Sequence, residues 1–296
     1  MELTFLGTSS MVPTKDRNQS SVLLSYSSEG ILFDCGEATQ RQLKIAGIKP
    51  TKITRIVISH WHGDHVLGLP GLIQTLGASD YAGTLSIYGP RGTKKHMKSM
   101  FDAFVFDSKV DLEVVDISAG IFFENRQFIM EADHLSHSIE CLGFRFTEKD
   151  RRRINVAKAR AAGIPDGPLL GKLQDNQPIT WKGKTYSPPE LTYVVKGKQI
   201  AFIADTVPCQ GAINLSKDAD LLICEATFES SLEEKSEAYG HMTSKQAALL
   251  ANHASAKKLI LTHFSQRYKT TKDIEEEAKT YFTNSVCAYD FMRVRL

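Results

Sequence analysis

The densest group of potential metal ligands in the chain is the stretch Ser59-His60-Trp61-His62-Gly63-Asp64-His65. Its first residue, Ser59, ends the apolar run of residues 54–59 (TRIVIS), which favours a buried strand. Imidazole and carboxylate suit Zn²⁺. In extended chain His60 and His62 point the same way, and Gly63 allows a bend that carries Asp64 and His65 towards a second position. The stretch therefore predicts two metal ions about 3.5–4 Å apart, the spacing of two-metal hydrolases.

Polar residues also close four other apolar runs. The runs GILF, KQIAFIA, ADLLIC and KKLILT are followed by Asp34, Asp205, Glu225 and His263. Any one of these is explained by a strand-end cap. Because ligands bind outside the carboxyl ends of strands in open α/β sheets, the five endings together predict convergence on one site.

A pair of metals needs more ligands than residues 60–65 supply. The remaining candidates are His134, His137, Asp205, His241 and His263. His96 and His253 lie in helical patterns, where a histidine is more often a surface or core residue than a ligand.

The composition is that of an ordinary globular protein. The 296 residues are 42% hydrophobic and 24% charged, which excludes disordered and collagen-like chains. Five scattered cysteines without a CxxC pair indicate reduced thiols. No stretch approaches the roughly 18 apolar residues of a membrane span, and MELTFLGTSS lacks the basic start of a signal peptide. We therefore expect no membrane partner and a cytoplasmic location.

One segment departs from the rest in charge and in proline and glycine content. Residues 145–184 contain ten Lys or Arg and four Asp or Glu, although the whole chain carries only +2. Residues 163–190 contain four glycines and five of the ten prolines, a density that opposes helix and central strand. A solvated loop or a linker between two domains would explain these features. We favour an inserted arm, because the residues on both sides contribute to one predicted site.

Elsewhere short strands alternate with helical patterns. Residues 20–34 predict a hairpin that turns at Glu29-Gly30, and residues 286–296 predict a last strand. Helices are predicted at residues 36–48, 66–78, 92–104, 244–254 and 271–282. This mixture favours a layered α/β sandwich with mixed sheets.

The chain resembles a known family in several motifs. Ser-His-x-His-x-Asp-His after an apolar strand is the signature of the metallo-β-lactamase superfamily. More specific segments resemble ribonuclease Z: Leu6-Gly7-Thr8-Ser9, Pro13-Thr14-Lys15-Asp16-Arg17-Asn18, Leu32-Phe33-Asp34-Cys35-Gly36-Glu37, Gly68-Leu69-Pro70-Gly71-Leu72, Glu225-Ala226-Thr227-Phe228 and Thr262-His263-Phe264-Ser265 with Arg267-Tyr268.

The resemblance implies a fold, an activity and a metal. The fold is a four-layer αββα metallo-β-lactamase sandwich, one domain over residues 1–296, with a protruding, flexible tRNA-binding arm inserted at 148–190. The activity is a zinc-dependent endoribonuclease that removes the 3′ trailer of precursor tRNA. Each subunit would bind two Zn²⁺, for which Mn²⁺ can substitute, and the family acts as a homodimer.

The resemblance also assigns roles to residues. His60, His62 and His137 would bind the first zinc, Asp64, His65 and His263 the second, and Asp205 would bridge them. Asp64 would also be the general base, and Glu225 with His241 the proton-transfer pair. Lys15, Arg17, Arg267, Gly167 and Pro168 would bind the substrate. Cys224, Ala204 and Met242 depart from the family pattern without removing a ligand.

Three alternatives remain open. A phosphodiesterase of the same superfamily would act on small or other RNA diesters at the same site. A small-molecule hydrolase, such as a lactonase, would lack the basic segment. An RNA-binding module that kept a zinc site for stability would lack some ligands.

Overall fold

Two large β-sheets form the framework of the computed structural model, which describes residues 1–105 and 109–296. Within these residues each of the two sheets has seven strands. The strands in chain order are β1 (Glu2–Gly7), β2 (Ser21–Tyr26), β3 (Glu29–Phe33), β4 (Arg55–Val57), β5 (Thr84–Gly89), β6 (Asp111–Asp116), β7 (Gly120–Glu124), β8 (Phe128–Leu135), β9 (Cys141–Glu148), β10 (Arg151–Ile154), β11 (Ile179–Trp181), β12 (Lys184–Tyr186), β13 (Thr192–Val195), β14 (Gln199–Ile203), β15 (Leu221–Glu225), β16 (Leu259–Thr262), β17 (Ser285–Cys287) and β18 (Arg293–Arg295).

Helices accompany both sheets. They are α1 (Thr39–Ile45), α2 (Gly63–Val66), α3 (Leu69–Gly77), α4 (Thr93–Asp102), α5 (Val156–Ala161), α6 (Pro168–Gln174), α7 (Pro188–Leu191), α8 (Gln210–Ser216), α9 (Glu233–Ala238), α10 (Ser244–His253) and α11 (Lys272–Tyr281), with 3₁₀ turns at Pro50–Lys52 and Ser230–Leu232. The helices α1 and α4 contact the first sheet, whereas α8, α10 and α11 contact the second. The arrangement is the predicted αββα sandwich.

The parallel strands of each sheet are adjacent to one another in the strand order. The sheets run β18-β1-β2-β3-β4-β5-β6 and β17-β16-β15-β14-β9-β8-β7. Pairing is parallel from β3 to β6 and from β14 to β17. The carboxyl ends of these strands therefore share an edge of each sheet, where a crevice can form.

Aromatic residues join the two sheets. Phe33 of β3 in the first sheet stacks on Phe202 of β14 in the second, with ring centroids 5.1 Å apart. Phe33 also lies 6.1 Å from the Phe144 ring of β9. All three rings are buried, so apolar burial between the sheets fixes their separation.

The chain divides into two compact units. One comprises residues 1–123, 130–146 and 199–296 and contains the framework just described; the other comprises residues 124–129 and 147–198. The second unit contains the antiparallel pairs β10–β13 and β11–β12. It also has a small core of its own, formed by Ile164, Leu173, Ile179 and Leu191.

Two local predictions need correction. The hairpin turns at Ser27-Ser28 rather than at Glu29-Gly30, because Tyr26 pairs with Glu29. Gly30 instead allows a close approach, since a Cβ there would lie 2.2 Å from the Lys52 carbonyl oxygen. The predicted last strand is two short strands, β17 and β18, which belong to different sheets.

The proline- and glycine-rich segment also contains more regular structure than its composition suggested. Pro168 begins α6, and Pro188 begins α7 after the Ser187 cap. Proline is tolerated there because the first helical amides need no partner within the helix. None of the helices in the described ranges is long and apolar enough to cross a membrane.

Candidate metal centre

The first cluster of ligand atoms joins three histidines and a carboxylate. His60 follows β4, His62 precedes α2, His137 follows β8 and Asp205 follows β14. The Nε2 atoms of His60 and His137 lie 3.0 and 3.1 Å from Nδ1 of His62. Asp205 Oδ2 lies 3.7 Å from His60 Nε2 and 4.0 Å from His137 Nε2. Ligand atoms about 2.0–2.1 Å from a tetrahedral ion would be ~3.3 Å apart, so this cluster fits one metal ion.

The second cluster shares Asp205 with the first. It joins Asp64 and His65 of α2 with Asp205 and His263. Asp64 Oδ2 lies 3.4 Å from Nε2 of both His65 and His263. Asp205 Oδ2 lies 3.5 Å from His65 Nε2, and its Oδ1 lies 3.3 Å from His263 Nε2. Asp205 thus stands between two adjoining sites, as a bridging ligand would.

Hydrogen bonds orient the rings of the first cluster. The Ser59 hydroxyl donates to Asp34 Oδ2 at 2.8 Å, and it therefore accepts from His60 Nδ1 at 3.0 Å. His137 Nδ1 donates to the Gly240 carbonyl oxygen at 2.8 Å. Both rings consequently keep the lone pair of Nε2 for a metal.

The rings of the second cluster are oriented in the same way. His65 Nδ1 donates to Asp34 Oδ2 at 2.7 Å. The Thr227 hydroxyl donates to Glu225 Oε2 at 2.7 Å and accepts from His263 Nδ1 at 2.9 Å. Each ring therefore directs Nε2 towards the shared carboxylate.

Electrostatics at the centre depends on burial and on the carboxylates. Burial, with the neighbouring His65, holds the pKa of His60 well below its usual value. Burial also disfavours the charged form of His65, but the carboxylates of Asp205, Asp34 and Asp64 raise its pKa well above the usual value. Burial likewise opposes ionisation of Asp205, and His263 and His65 nevertheless hold its pKa well below the usual range.

Two buried atoms fit a metal directly. Among the described residues, His65 Nε2 and Asp205 Oδ1 are buried nitrogen and oxygen atoms without a hydrogen-bond partner. An unsatisfied buried polar atom costs about 1–3 kcal/mol, and more if it is charged. A cation between these two atoms would satisfy both. The donor set of imidazole nitrogen and carboxylate oxygen suits a divalent metal ion.

A histidine–glutamate pair adjoins the two clusters. His241 Nδ1 lies 2.9 Å from Glu225 Oε1 at the end of β15. The carboxylate also accepts from the Thr206 amide at 2.8 Å, which fixes its position. Burial opposes the charged form of His241, but Glu225 raises the pKa of His241 to about 9. His241 is thus suited to hold a proton at neutral pH.

The centre opens into a cavity of about 750 Å³. Cations and aromatic rings are among the residues that line it. The Arg267 guanidinium lies 5.3 Å from the ring centroid of Phe228, and Lys235 Nζ lies 5.7 Å from that of Tyr239. Such a surface suits an anionic substrate that carries flat rings.

The structure places the remaining predicted residues in different surroundings. Lys15 is exposed, whereas Arg17 is buried and its Nη2 donates to the carbonyl oxygens of Ser265 and Tyr268 at 3.3 and 2.6 Å. Arg267 lines the cavity. Gly167 and Pro168 lie in the second compact unit.

The histidines outside the centre have other partners. His134 Nε2 lies 3.2 Å from the Ser118 hydroxyl, and His96 stacks on Trp61 with centroids 4.8 Å apart. His253 lies near the end of α10. The first cluster contains His137, which the resemblance assigns to the first zinc, whereas His134 lies outside both clusters.

The three departures from the family pattern are core positions. Cys224, Ala204 and Met242 are buried. Side chains alternate along a strand, so Cys224 and Glu225 point to opposite faces of the sheet. Burial, and then the neighbouring Glu225, raises the pKa of the Cys224 thiol well above its usual value. The thiol is therefore a neutral core group.

Sequence reasoning missed two supporting groups. Thr227 links His263 to Glu225, and the Gly240 carbonyl orients His137. Gly240 has φ 72°, and a Cβ there would lie 2.7 Å from His137 Nδ1. The available signal was that Gly240 immediately precedes the candidate His241. Its partner His137, however, lies 103 positions away in the chain.

Family models and a solved structure indicate the superfamily to which this chain is similar. A family model for the anti-Pycsar protein Apyc1 matches residues 1–99, and one for a β-lactamase superfamily domain matches residues 176–264. The metallo-β-lactamase fold protein YhfI from Bacillus subtilis is similar in fold, with a TM-score of 0.71 at 20% identity over 99% of this chain and 98% of that one. The two sheets and the paired histidine–aspartate clusters thus define a metallo-β-lactamase-type protein with groups for a divalent metal.

Full-length relatives identify the family. The chain is 42% identical to a ribonuclease Z from Methanothermobacter thermautotrophicus, over 100% of this chain and 97% of the relative. It is 39% identical to one from Protochlamydia amoebophila, over 98% and 95%. The structure of the short form of human tRNase Z has a TM-score of 0.74 at 29% identity, over 100% of this chain and 99% of that one. This chain belongs to the ribonuclease Z family.

Substitution of the shared carboxylate tests the two-site geometry. We expect the purified protein to bind two divalent ions per chain. Asp205→Ala should lower the affinity for both ions, whereas His137→Ala should lower the affinity for one. Loss of a ligand group should lower affinity at least ~10-fold. The measurement is metal content after dialysis against a graded chelator series.

His134→Ala is the matched control, because this histidine lies three positions before His137 and outside both clusters. Two ions retained by Asp205→Ala at wild-type affinity would contradict the bridging position.

Proposed function

We propose that this chain is an endoribonuclease that removes the 3′ trailer from precursor tRNA. Cleavage leaves a 3′-hydroxyl on the tRNA and a 5′-phosphate on the trailer. Membership of the ribonuclease Z family supports the substrate. The observation that carries the chemistry is the position of the Glu225–His241 pair beside two clusters that share Asp205.

The ligands would be divided between two Zn²⁺ ions. His60, His62 and His137 would hold one ion, and Asp64, His65 and His263 the other, with Asp205 between them. When bound, such ions offset the charge of a phosphodiester and lower the pKa of a bound water towards about 7. Mn²⁺ can substitute, since imidazole and carboxylate ligands accept several divalent ions.

The side chains would move protons at both ends of the reacting bond. Asp64 faces the cavity and would accept a proton from the attacking water. His241, charged beside Glu225, would donate a proton to the departing ribose 3′-oxygen. The ribose 3′-oxygen is a poor leaving group, so its protonation should greatly accelerate the cleavage step.

Substrate binding would extend beyond the cavity. Arg267 lines the cavity and would contact phosphate, and exposed Lys15 would add a cation. Arg17 would act indirectly, because its buried guanidinium holds the Ser265 and Tyr268 carbonyls of the segment that carries Arg267.

The second compact unit supplies the charge for binding a structured RNA. Its exposed cations are Arg126, Arg151, Arg153, Lys158, Arg160, Lys172, Lys182, Lys184 and Lys196. Structured RNA is held through its phosphates and recognised by shape. We propose that this unit is the tRNA-binding arm, with Gly167 and Pro168 at the start of α6 among its contacts.

The family resemblance extends the proposal to assembly. The protein would act as a homodimer in which the arm of one subunit binds the RNA that the other subunit cuts, and it would work in the cytoplasm. A phosphodiesterase for small or other RNA diesters is the alternative, since an open cavity accepts any accessible diester.

End mapping with a precursor tRNA tests the proposed activity. We expect the protein to release the 3′ trailer, a chelator to abolish cleavage because the clusters lose their ions, and added Zn²⁺ to restore it. The measurement is gel mapping of both product ends. Cleavage that survives the chelator would exclude the metal-dependent mechanism, and activity confined to small diesters would favour the alternative.

Substitution of His241 tests the proton donor. His241→Ala should slow single-turnover cleavage of precursor tRNA by about 10²–10⁴-fold, the usual worth of a general acid. It should spare bis(p-nitrophenyl) phosphate, whose nitrophenolate departs without a proton. His253→Ala in the same region of the chain is the control. Full turnover of precursor tRNA by metal-loaded His241→Ala would remove this role.

Deletion of the arm tests RNA binding. Ile154 of β10 pairs with Thr192 of β13, so residues 155–191 can be replaced by a short Asn-Gly turn without separating these strands. Because the deletion removes five cations, kcat/KM for precursor tRNA should fall on the order of 10²-fold. Hydrolysis of bis(p-nitrophenyl) phosphate should be unchanged.

Alanine at Lys94, Lys95 and Lys98 of α4 is the control for loss of positive charge elsewhere. Equal loss on both substrates after the deletion would mean that the arm is needed for folding instead.

A further inference from the structure

A carboxylate remote from every motif holds the segment that carries His241. Glu277 of α11 accepts the Ser230 amide at 3.1 Å, and it also accepts the hydroxyls of Ser230 and Ser244. Ser230 begins a 3₁₀ turn and Ser244 begins α10. One side chain thus bonds to both ends of segment 230–244.

The bonded segment supplies several groups to the site. Lys235 and Tyr239 line the cavity, and the Gly240 carbonyl accepts from His137 Nδ1. His241 bonds to Glu225. The segment reaches this position through a short helix and a left-handed glycine, so the position of its two ends determines where these groups lie.

We infer that Glu277 is a positioning residue for His241, holding the proton donor at the leaving-group side of the cavity. The inference rests on the proposed function. Glu277 acts through Ser230 and Ser244, and it is not among the residues that line the cavity.

The rest of the segment's anchorage suggests how large the effect should be. The Ser244 amide donates to the Phe228 carbonyl at 2.9 Å, and the Glu229 amide donates to the Tyr268 hydroxyl at 2.9 Å. These bonds would remain when Glu277 is replaced. Loss of Glu277 should therefore shift the segment rather than release it, and a shift of ~1 Å in a reacting group costs up to about 10²-fold in rate.

The variants Glu277→Ala and Glu277→Gln test the inference in the full-length, metal-loaded protein. Glu277→Ala should slow single-turnover cleavage of precursor tRNA by about 10–100-fold and spare bis(p-nitrophenyl) phosphate. Glu277→Gln keeps an oxygen for Ser230 and should recover most of the rate. Glu276→Ala is the matched control, because Glu276 is exposed on the same helix and pairs with Lys272.

A double variant separates positioning from general stability. If Glu277 acts through His241, Glu277→Ala/His241→Ala should cleave precursor tRNA no more slowly than His241→Ala alone. The inference would be overturned if the rate losses of the two single variants multiplied in the double variant. It would also be overturned if Glu277→Ala lost the same factor on both substrates.

Wild-type cleavage is measured first, so that the two proposals fail separately. A wild-type protein without activity on precursor tRNA would refute the proposed function and the inference with it. An active wild type beside a fully active Glu277→Ala variant would refute the inference alone. If both Glu277 variants lose the thermal unfolding transition of the wild type, the residue is structural and the inference is wrong.

Discussion

Asp205 is the group on which both ligand clusters depend. Its carboxylate is 3% exposed and lies within 4.0 Å of ring nitrogens from His60, His65, His137 and His263. A buried carboxylate is costly unless positive charge compensates it. The arrangement is therefore one that divalent cations would stabilise. Chain elements from both sheets meet at this carboxylate.

The supports around the ligands explain why the rings point inward. Asp34 orients His60 through Ser59 and orients His65 directly, so one carboxylate in the first sheet serves both clusters. Thr227 couples His263 to Glu225, which also bonds to His241. The two ligand clusters and the Glu225–His241 pair thus share a hydrogen-bond network. A substitution in the clusters should therefore alter the Glu225–His241 pair, and the reverse, because the network is buried and its members polarise one another.

Outside the centre, the cavity and the second compact unit differ in physical character. The cavity offers cations beside aromatic rings, which suits phosphate and base together. The second compact unit has a core of only a few side chains and an excess of exposed cations. A small core is sufficient to fold such a unit, because its proposed role is to present positive charge to RNA.

The fold class and the donor groups of the candidate metal centre were predictable from the sequence alone. The ligands at residues 60–65 are adjacent in the chain, and strand periodicity placed Asp205, Glu225 and His263 at strand ends. The burial of Arg17 and the contacts of Gly240 and Glu277 emerge only in the folded chain. Those depend on atoms from residues far apart in the chain, and periodicity carries no information about which distant atoms meet. The hairpin turn and the final strands were misplaced for a related reason, since pairing with neighbouring strands sets register and overrides local turn preference.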